Sequence, residues 1–386
     1  MRSRSFPALR WVSLFFILAA VAVFTLQLVR FSRFRVNFPA GMEIAEIPVG
    51  GWDRDITTSE EIIMWTSAYD TLIGAGYEMA PDDEATVREN LIALTSALYE
   101  NYRDPRTANG FPLLHQNNHR SKVGCAFITA AIVLAEHEPD SGDERAVEYE
   151  DPAEWALYGF ELLETILEYS HITEDGAYSE GPFYFRYTSQ NLLPTARAWD
   201  RWVSGEPWPV DEETERLSPW RDPRIVRAHA WMIDLMLPDG TLAPFDDGNV
   251  GRRHYYGLAP ASPENAAAML WAWGLSRTSQ YVAAPYPYPT DGNIEQAPDA
   301  IFAFDDGVTP RPPQGSPTRI YDKGGVAAFR SGWEADDVVA VVLGEHGVAA
   351  SFGSGPEGNP VFPDSHEHAE PGSFMFYAFG ERLLLD

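Results

Sequence analysis

The chain has 386 residues, 45% hydrophobic and 13% aromatic, which is enough apolar material for a large core and argues against global disorder. Its 57 acidic residues against 28 basic ones give a net charge of −29, which argues against a nucleic-acid ligand because like charges repel at long range. The single cysteine, Cys125, excludes an internal disulfide, so the compartment has to be inferred from the N-terminus.

The N-terminus carries an apolar stretch from Trp11 to Val29, with three arginines before it and three after it. A helix of this length measures about 28 Å, close to the ~30 Å hydrocarbon core of a bilayer. The apolar run continues past the small residues Ala20 to Ala22, which favours an uncleaved anchor over a cleaved signal peptide. We therefore predict a transmembrane anchor over residues 1–35, a linker over residues 36–55, and a remainder that is periplasmic or at the cell surface.

Residues 56–283 carry patterns that are typical of helices. The first helix is predicted to begin with the capping sequence Thr58-Ser59-Glu60-Glu61, and a second helix covers DDEATVRENLIALTSALYENY. Further helices are predicted over residues 119–137, 151–170, 189–204, 211–237 and 262–276. The alternation of helix, polar turn and helix predicts stacked helical hairpins.

The composition changes near residue 284, where a second part of the chain begins. The prolines of PYPYPTDG and TPRPPQGSPT predict a connector over residues 284–317. From residue 318 to 386, apolar segments of strand length alternate with Gly and Asp turns, which predicts an antiparallel β domain. The sequence ends at Asp386 inside a predicted strand, so we expect a truncated sheet with an aggregation-prone edge, removable by limited proteolysis after residue 315 or so.

Three distant segments carry polar side chains suited to one kind of chemistry: Asn117-Asn118-His119, the tyrosine-rich residues 178–187, and His366-Glu367-His368. An amide and an imidazole can hold and neutralise a carboxylate, while a histidine or tyrosine can remove and return protons. This combination is typical of an enzyme that removes a carbon-bound proton next to a carboxylate. It predicts elimination chemistry on an acidic sugar polymer.

These segments resemble, in the same order, those of heparinase II/III-like polysaccharide lyases. The four matching runs are NNHRSKVGCAFITAAIVLAEH, DGAYSEGPFYFRYT, PDGTLAPFDDGN and HEHAEPGSFMFYAFGERLLLD. The resemblance covers roughly residues 50–386 and implies an α+β multidomain chain, with an incomplete (α/α) toroid followed by an antiparallel β-sandwich domain. It also implies a lyase that cleaves a uronic-acid-containing polymer by β-elimination.

The resemblance implies a role for each of the main site residues. Asn118 and His119 would neutralise the substrate carboxylate, His366 would be the base, and Tyr184 would be the catalytic acid or the combined acid and base. Glu180 is expected to accept hydrogen bonds rather than donate a proton, and Tyr187 is the alternative phenol. The predicted substrate-binding residues are Asn117, Glu180, Tyr187, Asp247, Arg252 and Arg253.

The resemblance also implies a metal site in some members of the family. His368 and Asp386 would be ligands of a structural zinc, whereas the chemistry itself requires no cofactor. Zinc sites need three or four protein ligands, and the family's aspartate two positions after the second histidine is replaced by Glu370. The predicted partners are an acidic polysaccharide and, through the anchor, a membrane.

Two other classes of protein remain open at this point. A toroidal glycoside hydrolase would use paired carboxylates, for instance Glu180 with Asp246 or Asp247. A non-catalytic envelope protein would bind carbohydrate without turnover, with Asn118 serving only as a helix cap and the tyrosines only as packing residues. A lyase is distinguished from both because its product contains a new conjugated double bond.

Overall fold

The computed structural model describes residues 54–103, 118–142, 149–168, 172–203, 208–209, 215–216, 219–246, 248, 262–276, 307–344 and 372–384. A helical part is followed along the chain by an antiparallel sheet, so the described residues have an α+β fold. No helix within these ranges is long and apolar enough to cross a membrane. The predicted anchor, residues 1–35, lies outside the described residues.

The described residues form seven α-helices that make up the helical part. They are α1 (Arg54–Gly74), α2 (Pro81–Arg103), α3 (Asn118–Val133), α4 (Pro152–Glu168), α5 (Gly181–Trp202), α6 (Pro223–Asp234) and α7 (Pro263–Ser276). Helix α1 begins with Arg54 and Asp55, so these two residues belong to the helix and not to the predicted linker. Asp55 places a negative charge in the first turn, where the helix dipole is positive.

Helix α3 lies at the centre of the helical part and packs against α1, α4 and α5. It is buried on nearly every side, which explains its lack of a polar face. Close approach to α4 depends on two glycines, because a Cβ on Gly124 would lie 2.8 Å from the carbonyl oxygen of Gly159, and a Cβ on Gly159 would lie 2.8 Å from that of Gly124. The position of α3 is therefore fixed by backbone-to-backbone packing.

Helix α5 begins eight residues before the predicted start at residue 189. From the sequence, the Gly181-Pro182 pair suggests that no helix passes through these residues. Proline is nevertheless compatible with the first turn of a helix, where the missing N–H would have no helical acceptor. Gly181 has a φ of +80°, which glycine adopts without strain. Tyr184 and Tyr187 therefore lie on a helix and not in a loop.

The single helix predicted over residues 211–237 is also wrong. The chain instead forms two paired short strands, β1 (Trp208–Pro209) and β2 (Glu215–Arg216), and a 3₁₀ turn over Pro219–Arg221 before α6. Asp222 ends this stretch as the N-cap of α6, since its carboxylate accepts a hydrogen bond from the Arg224 N–H at 2.8 Å. Pro219 at the start of the 3₁₀ turn, Pro223 at the start of α6 and the Asp222 cap separate α6 from the preceding residues.

Within the described residues, the sheet that follows the helical part has five strands in sequential antiparallel order. They are β3 (Arg319–Tyr321), β4 (Val326–Arg330), β5 (Val339–Leu343), β6 (Phe374–Ala378) and β7 (Glu381–Leu384). Alternate side chains on β4, β5 and β6 are buried, and they join the same hydrophobic core as the helices. The opposite face is also apolar, with Ile320 and Phe329 exposed at 68% and 46%.

Polar contacts hold the inner face of the sheet against the residues at and after the end of α6. Asp234 accepts hydrogen bonds from Tyr321 Oη at 2.7 Å and Arg319 Nε at 3.1 Å. The buried Arg330 donates to the Asp234 carbonyl oxygen at 2.7 Å. The Arg382 guanidinium pairs with Asp239 at 2.7 Å, and both side chains are about 95% buried, as side-chain exposures of 6% and 5% show. Helical part and sheet are thus joined by buried ion pairs as well as by apolar packing.

Candidate active site at the start of helix α3

Near its start, α3 carries three polar side chains that each contact a carboxylate from a neighbouring helix or its N-cap. Asn118 contacts Glu180, His119 contacts Asp55, and Lys122 contacts Glu60. Asp55 and Glu60 come from α1, while Glu180 is the residue before α5. The structure therefore brings together two of the three segments that the sequence predicts to form the site.

Glu180 is completely buried and joins α3 to α5. Its Oε2 accepts a hydrogen bond from the Asn118 backbone N–H at 3.0 Å, and its Oε1 accepts one from Asn118 Nδ2 at 3.0 Å. The Tyr178 hydroxyl donates to Oε2 at 2.7 Å. Because the first N–H groups of a helix lack helical acceptors, this carboxylate caps α3 although it belongs to the start of α5. It also fixes the orientation of the Asn118 amide.

His119 is held by an acidic residue that the sequence analysis placed in the linker. Asp55 Oδ2 lies 3.0 Å from His119 Nδ1, and the same oxygen accepts a hydrogen bond from the Tyr102 hydroxyl. Burial alone would raise the pKa of Asp55, but the hydrogen bond and charge of His119, together with the Tyr102 hydroxyl, lower this pKa below its ordinary value of 3.8. A carboxylate at Nδ1 selects the ring nitrogen that carries the proton.

Lys122 lies one turn further along α3. Its ammonium contacts Glu60 Oε1 at 2.7 Å and lies 3.7 Å from the centroid of the Tyr187 ring. The lysine side chain is 1% exposed, whereas that of Glu60 is 47% exposed. Burial lowers the pKa of Lys122, and the charge of Glu60 opposes this effect. A second contact between α3 and α5 is thus made through a buried cation and an aromatic ring.

Tyr184 lies in the first turns of α5, between the two points at which this helix contacts α3. Its ring makes edge-to-face contacts with Phe183, at a centroid distance of 5.3 Å, and with Tyr187 at 6.0 Å. Asp246 approaches the same end of α5, because a Cβ on Gly181 would lie 2.7 Å from Asp246 Oδ2. This close approach requires glycine at position 181.

The predicted site residues divide into two groups. Those that the structure describes lie together around the α3–α5 contact: Asn118, His119, Glu180, Tyr184 and Tyr187. The others lie outside the described residues: Asn117, Asp247, Arg252, Arg253, His366, His368 and Asp386. Within the described ranges, no group of three or more histidine, cysteine, aspartate or glutamate side chains is arranged to hold a metal ion.

Sequence reasoning missed Asp55, Glu60 and Tyr102 as parts of this site. All three lie on α1 or α2, whose helical patterns are visible in the sequence. Asp55 and Glu60 contact α3 across 64 and 62 residues, and Tyr102 contacts Asp55 across 47 residues, and no local motif reports such contacts. The available sequence signal for a role of Asp55 was its place in the first turn of α1. An acidic residue there is equally well explained by its favourable interaction with the helix dipole.

The comparison with known proteins finds that this chain is similar to solved structures. No protein-family model matches the chain, and no curated protein matches its sequence. A solved heparinase III gene product has a TM-score of 0.48 at 17% identity, over 86% of this chain and 40% of that protein. Heparan sulfate lyase HepC from Pedobacter heparinus has a TM-score of 0.48 at 15% identity, over 92% of this chain and 44% of its own. The chain spans less than half the length of either protein.

Proposed function

We propose that the protein is a polysaccharide lyase that cleaves a uronic-acid-containing polymer by β-elimination. The observation that carries the proposal is the Asn118–Glu180 contact, which joins the amide–imidazole pair on α3 to the tyrosines of α5. An amide, an imidazole and a phenol are the groups that such an elimination uses. The sequence resemblance to heparinase II/III-like lyases supports the same assignment.

In the proposed reaction, Asn118 and His119 bind the uronate carboxylate. The amide nitrogen of Asn118 has two hydrogens, and the contact with Glu180 uses one of them. Neutralising the carboxylate makes the adjacent C5–H more acidic, and His366 or Tyr184 takes that proton. The electron pair forms the C4–C5 double bond, the bond from C4 to O4 breaks, and O4 receives a proton from Tyr184.

The hydrolase alternative finds less support in the site. A glycoside hydrolase needs one carboxylic acid that donates a proton to the leaving oxygen. Glu180 is fully buried and accepts hydrogen bonds from Asn118 and Tyr178, which suits a structural carboxylate. We therefore propose that Glu180 supports Asn118 and does not contact the substrate as an acid.

Three further features belong to the same proposal. The anchor over residues 1–35 would hold the protein at a membrane, with its site in the periplasm or at the cell surface. The helical part would be an incomplete (α/α) toroid, and the apolar outer face of the sheet, which includes Ile320 and Phe329, supports a β-sandwich with a second layer. A structural zinc would involve His368 and Asp386, while the chemistry requires no metal.

Replacement of the Tyr184 hydroxyl tests the proposal. Tyr184→Phe keeps the ring contacts with Phe183 and Tyr187 and removes only the proton donor. We expect kcat on a uronate polymer to fall by about 10²–10⁴ with unchanged thermal stability. The measurement is the ultraviolet absorbance of the unsaturated product, recorded for a panel of alginate, heparan-type and hyaluronan polymers.

Phe183→Leu is the matched control, because it changes the other aromatic contact of Tyr184 without removing a hydroxyl. We expect this control to retain most of the turnover. If reducing sugar were released without ultraviolet absorbance, the protein would be a hydrolase and the lyase proposal would be wrong. Binding of the polymers without any product would leave a non-catalytic carbohydrate-binding protein.

A further inference from the structure

Lys122 has an unusual environment for a lysine in this protein. The chain has two lysines, and this one is almost completely buried at the α3–α5 contact. A buried ammonium is costly unless it is paired, and here it pairs with Glu60 Oε1 at 2.7 Å. The resemblance to heparinase II/III-like lyases assigns no role to either residue.

The same Glu60 oxygen also contacts Tyr187. The Tyr187 hydroxyl donates to Glu60 Oε1 at 3.4 Å, while the Lys122 ammonium lies 3.7 Å from the ring centroid. The Tyr184 ring then packs against Tyr187 at a centroid distance of 6.0 Å, with the two ring planes 86° apart. Tyr187 is thus held at its ring face by a cation, at its hydroxyl by a carboxylate, and by the neighbouring phenol.

The two charges act on the Tyr187 phenol in opposite directions. A cation against the ring stabilises the phenolate, and a carboxylate that accepts the hydroxyl hydrogen stabilises the neutral phenol. The groups that contact the Tyr187 side chain include Lys122 from α3, Glu60 from α1 and Tyr184 on its own helix. Lys122 and Glu60 thus contact the phenol with opposite charges, one at its ring and one at its hydroxyl.

We propose that Lys122 and Glu60 are positioning residues that hold Tyr187 against Tyr184 and set the protonation of the pair. This inference rests on the proposed lyase function, because it supplies that reaction with a second phenol beside the proton donor. Lys122 then acts through Tyr187 and does not itself bind the uronate. Its burial beneath the ring separates this role from that of the solvent-facing arginines that usually bind polyanions.

The test uses two variants with opposite expected effects. Lys122→Met removes the cation and keeps an unbranched side chain, whereas Glu60→Gln removes the carboxylate and keeps an acceptor oxygen. The titration of Tyr187 is followed by NMR of the full chain with ¹³Cζ-labelled tyrosine, with the signal assigned by Tyr187→Phe. We expect Lys122→Met to move this titration to higher pH by about 1 unit or more, and Glu60→Gln to move it to lower pH.

The pH profile of kcat provides the second readout. The part of this profile that depends on the protonation of the Tyr184–Tyr187 pair is expected to move to higher pH in Lys122→Met and to lower pH in Glu60→Gln. Lys122→Arg keeps the charge and should retain most of the parent profile, which also covers the case in which Lys122→Met does not fold. Glu154→Gln removes a carboxylate from the exposed Arg103–Glu154 pair and should move neither the Tyr187 signal nor the profile.

The outcomes separate the two proposals. Opposite shifts of the Tyr187 titration, in a protein that turns over no uronate polymer, would support the positioning role and overturn the lyase function. Turnover with an unmoved Tyr187 titration and unmoved kcat profiles in both variants would support the lyase and overturn the positioning role. Equal losses of thermal stability without any pH effect would show that Lys122 and Glu60 form a structural ion pair, which also overturns it.

Discussion

At the scale of single residues, Glu180 occupies the position at the α3 N-terminus that an external anion would otherwise take. The backbone N–H of Asn118 and one Nδ2 hydrogen already contact its carboxylate. In the proposed reaction, a substrate carboxylate would therefore be recognised by the second Nδ2 hydrogen and by His119, and not by the helix terminus itself. The helix dipole stabilises Glu180 in its buried position.

Replacing Glu180 tests this reading of its role. Glu180→Gln replaces one of the two acceptor oxygens by an NH₂ group, so in either orientation of the amide at least one Asn118 donor faces another donor and its hydrogen bond is lost. We expect the free energy of unfolding to fall by about 1–3 kcal/mol, measured by urea denaturation. The control Glu154→Gln, at a solvent-exposed ion pair, should cost less than about 1 kcal/mol. Equal losses in the two variants would contradict a special role for Glu180.

The Asp55–His119 pair predicts a defined pH dependence. The folded-state pKa of Asp55 lies below 3.8, so its contribution to stability is present above about pH 4 and is lost as the pH falls through the folded-state value. Asp55→Asn removes this contribution. The difference in unfolding free energy between the parent and Asp55→Asn should be largest near neutral pH and shrink in acid. A difference that grew on acidification would refute the lowered pKa.

The residues of the site were predictable only where a local pattern reported them. Asn118, His119 and Tyr184 stand in recognisable motifs, and the structure brings their helices into contact. The partners Glu60 and Asp55 belong to an ordinary helical segment, and only the packing of α1 on α3 reveals their contacts with Lys122 and His119. Long-range pairing of this kind depends on the tertiary fold, which no single-sequence pattern encodes.

At the scale of elements, the packing of α3 on α4 depends on Gly124. Gly124→Ala would place its Cβ 2.8 Å from the Gly159 carbonyl oxygen, so the two helices would have to separate. We expect a loss of about 1–3 kcal/mol in thermal or urea unfolding. Gly274→Ala in α7 is the matched control, because no atom lies within 4 Å of its added Cβ. It should instead stabilise the protein, by up to about 1 kcal/mol.

The helices with uninterrupted patterns agree with the sequence-based prediction, whereas the helices predicted over residues 189–204 and 211–237 differ from it. α4 and α7 lie within a few residues of the predicted ranges, since their apolar periodicity is continuous. The start of α5 was missed because Gly181-Pro182 looks like a helix break, although it is a helix start. Proline signals the end of one conformation without saying which conformation follows.

At the scale of the whole molecule, buried ion pairs couple the sheet to the helical part. Arg382→Met would leave the Asp239 carboxylate buried without its cation, which costs about 3–5 kcal/mol. We expect the parent to show a single unfolding transition, and the variant to show an earlier loss of the sheet. Limited proteolysis with mass spectrometry would detect this as new cleavage between β3 and β7.

This expectation differs from the sequence-based one, in which the residues after 315 would be removed readily from the parent itself. The control Arg221→Met breaks a pair whose arginine is 53% exposed and should leave the proteolysis pattern unchanged. Rapid removal of the sheet from the parent would show that the Asp234 and Asp239 contacts are too weak to couple the two parts.

The long chain separation of these pairs has a consequence during protein synthesis. Asp239 meets Arg382 across 143 residues, and Asp234 meets Tyr321 across 87. At a translation rate of about 5–20 residues per second, each aspartate leaves the ribosome on the order of ten seconds before its partner. During that interval Asp234, at the end of α6, and Asp239, which follows it, lack these partners beside apolar residues that the sheet later covers. We therefore expect the nascent helical part to be more negatively charged until the strands arrive, and repulsion between neighbouring nascent chains to oppose their association in that interval.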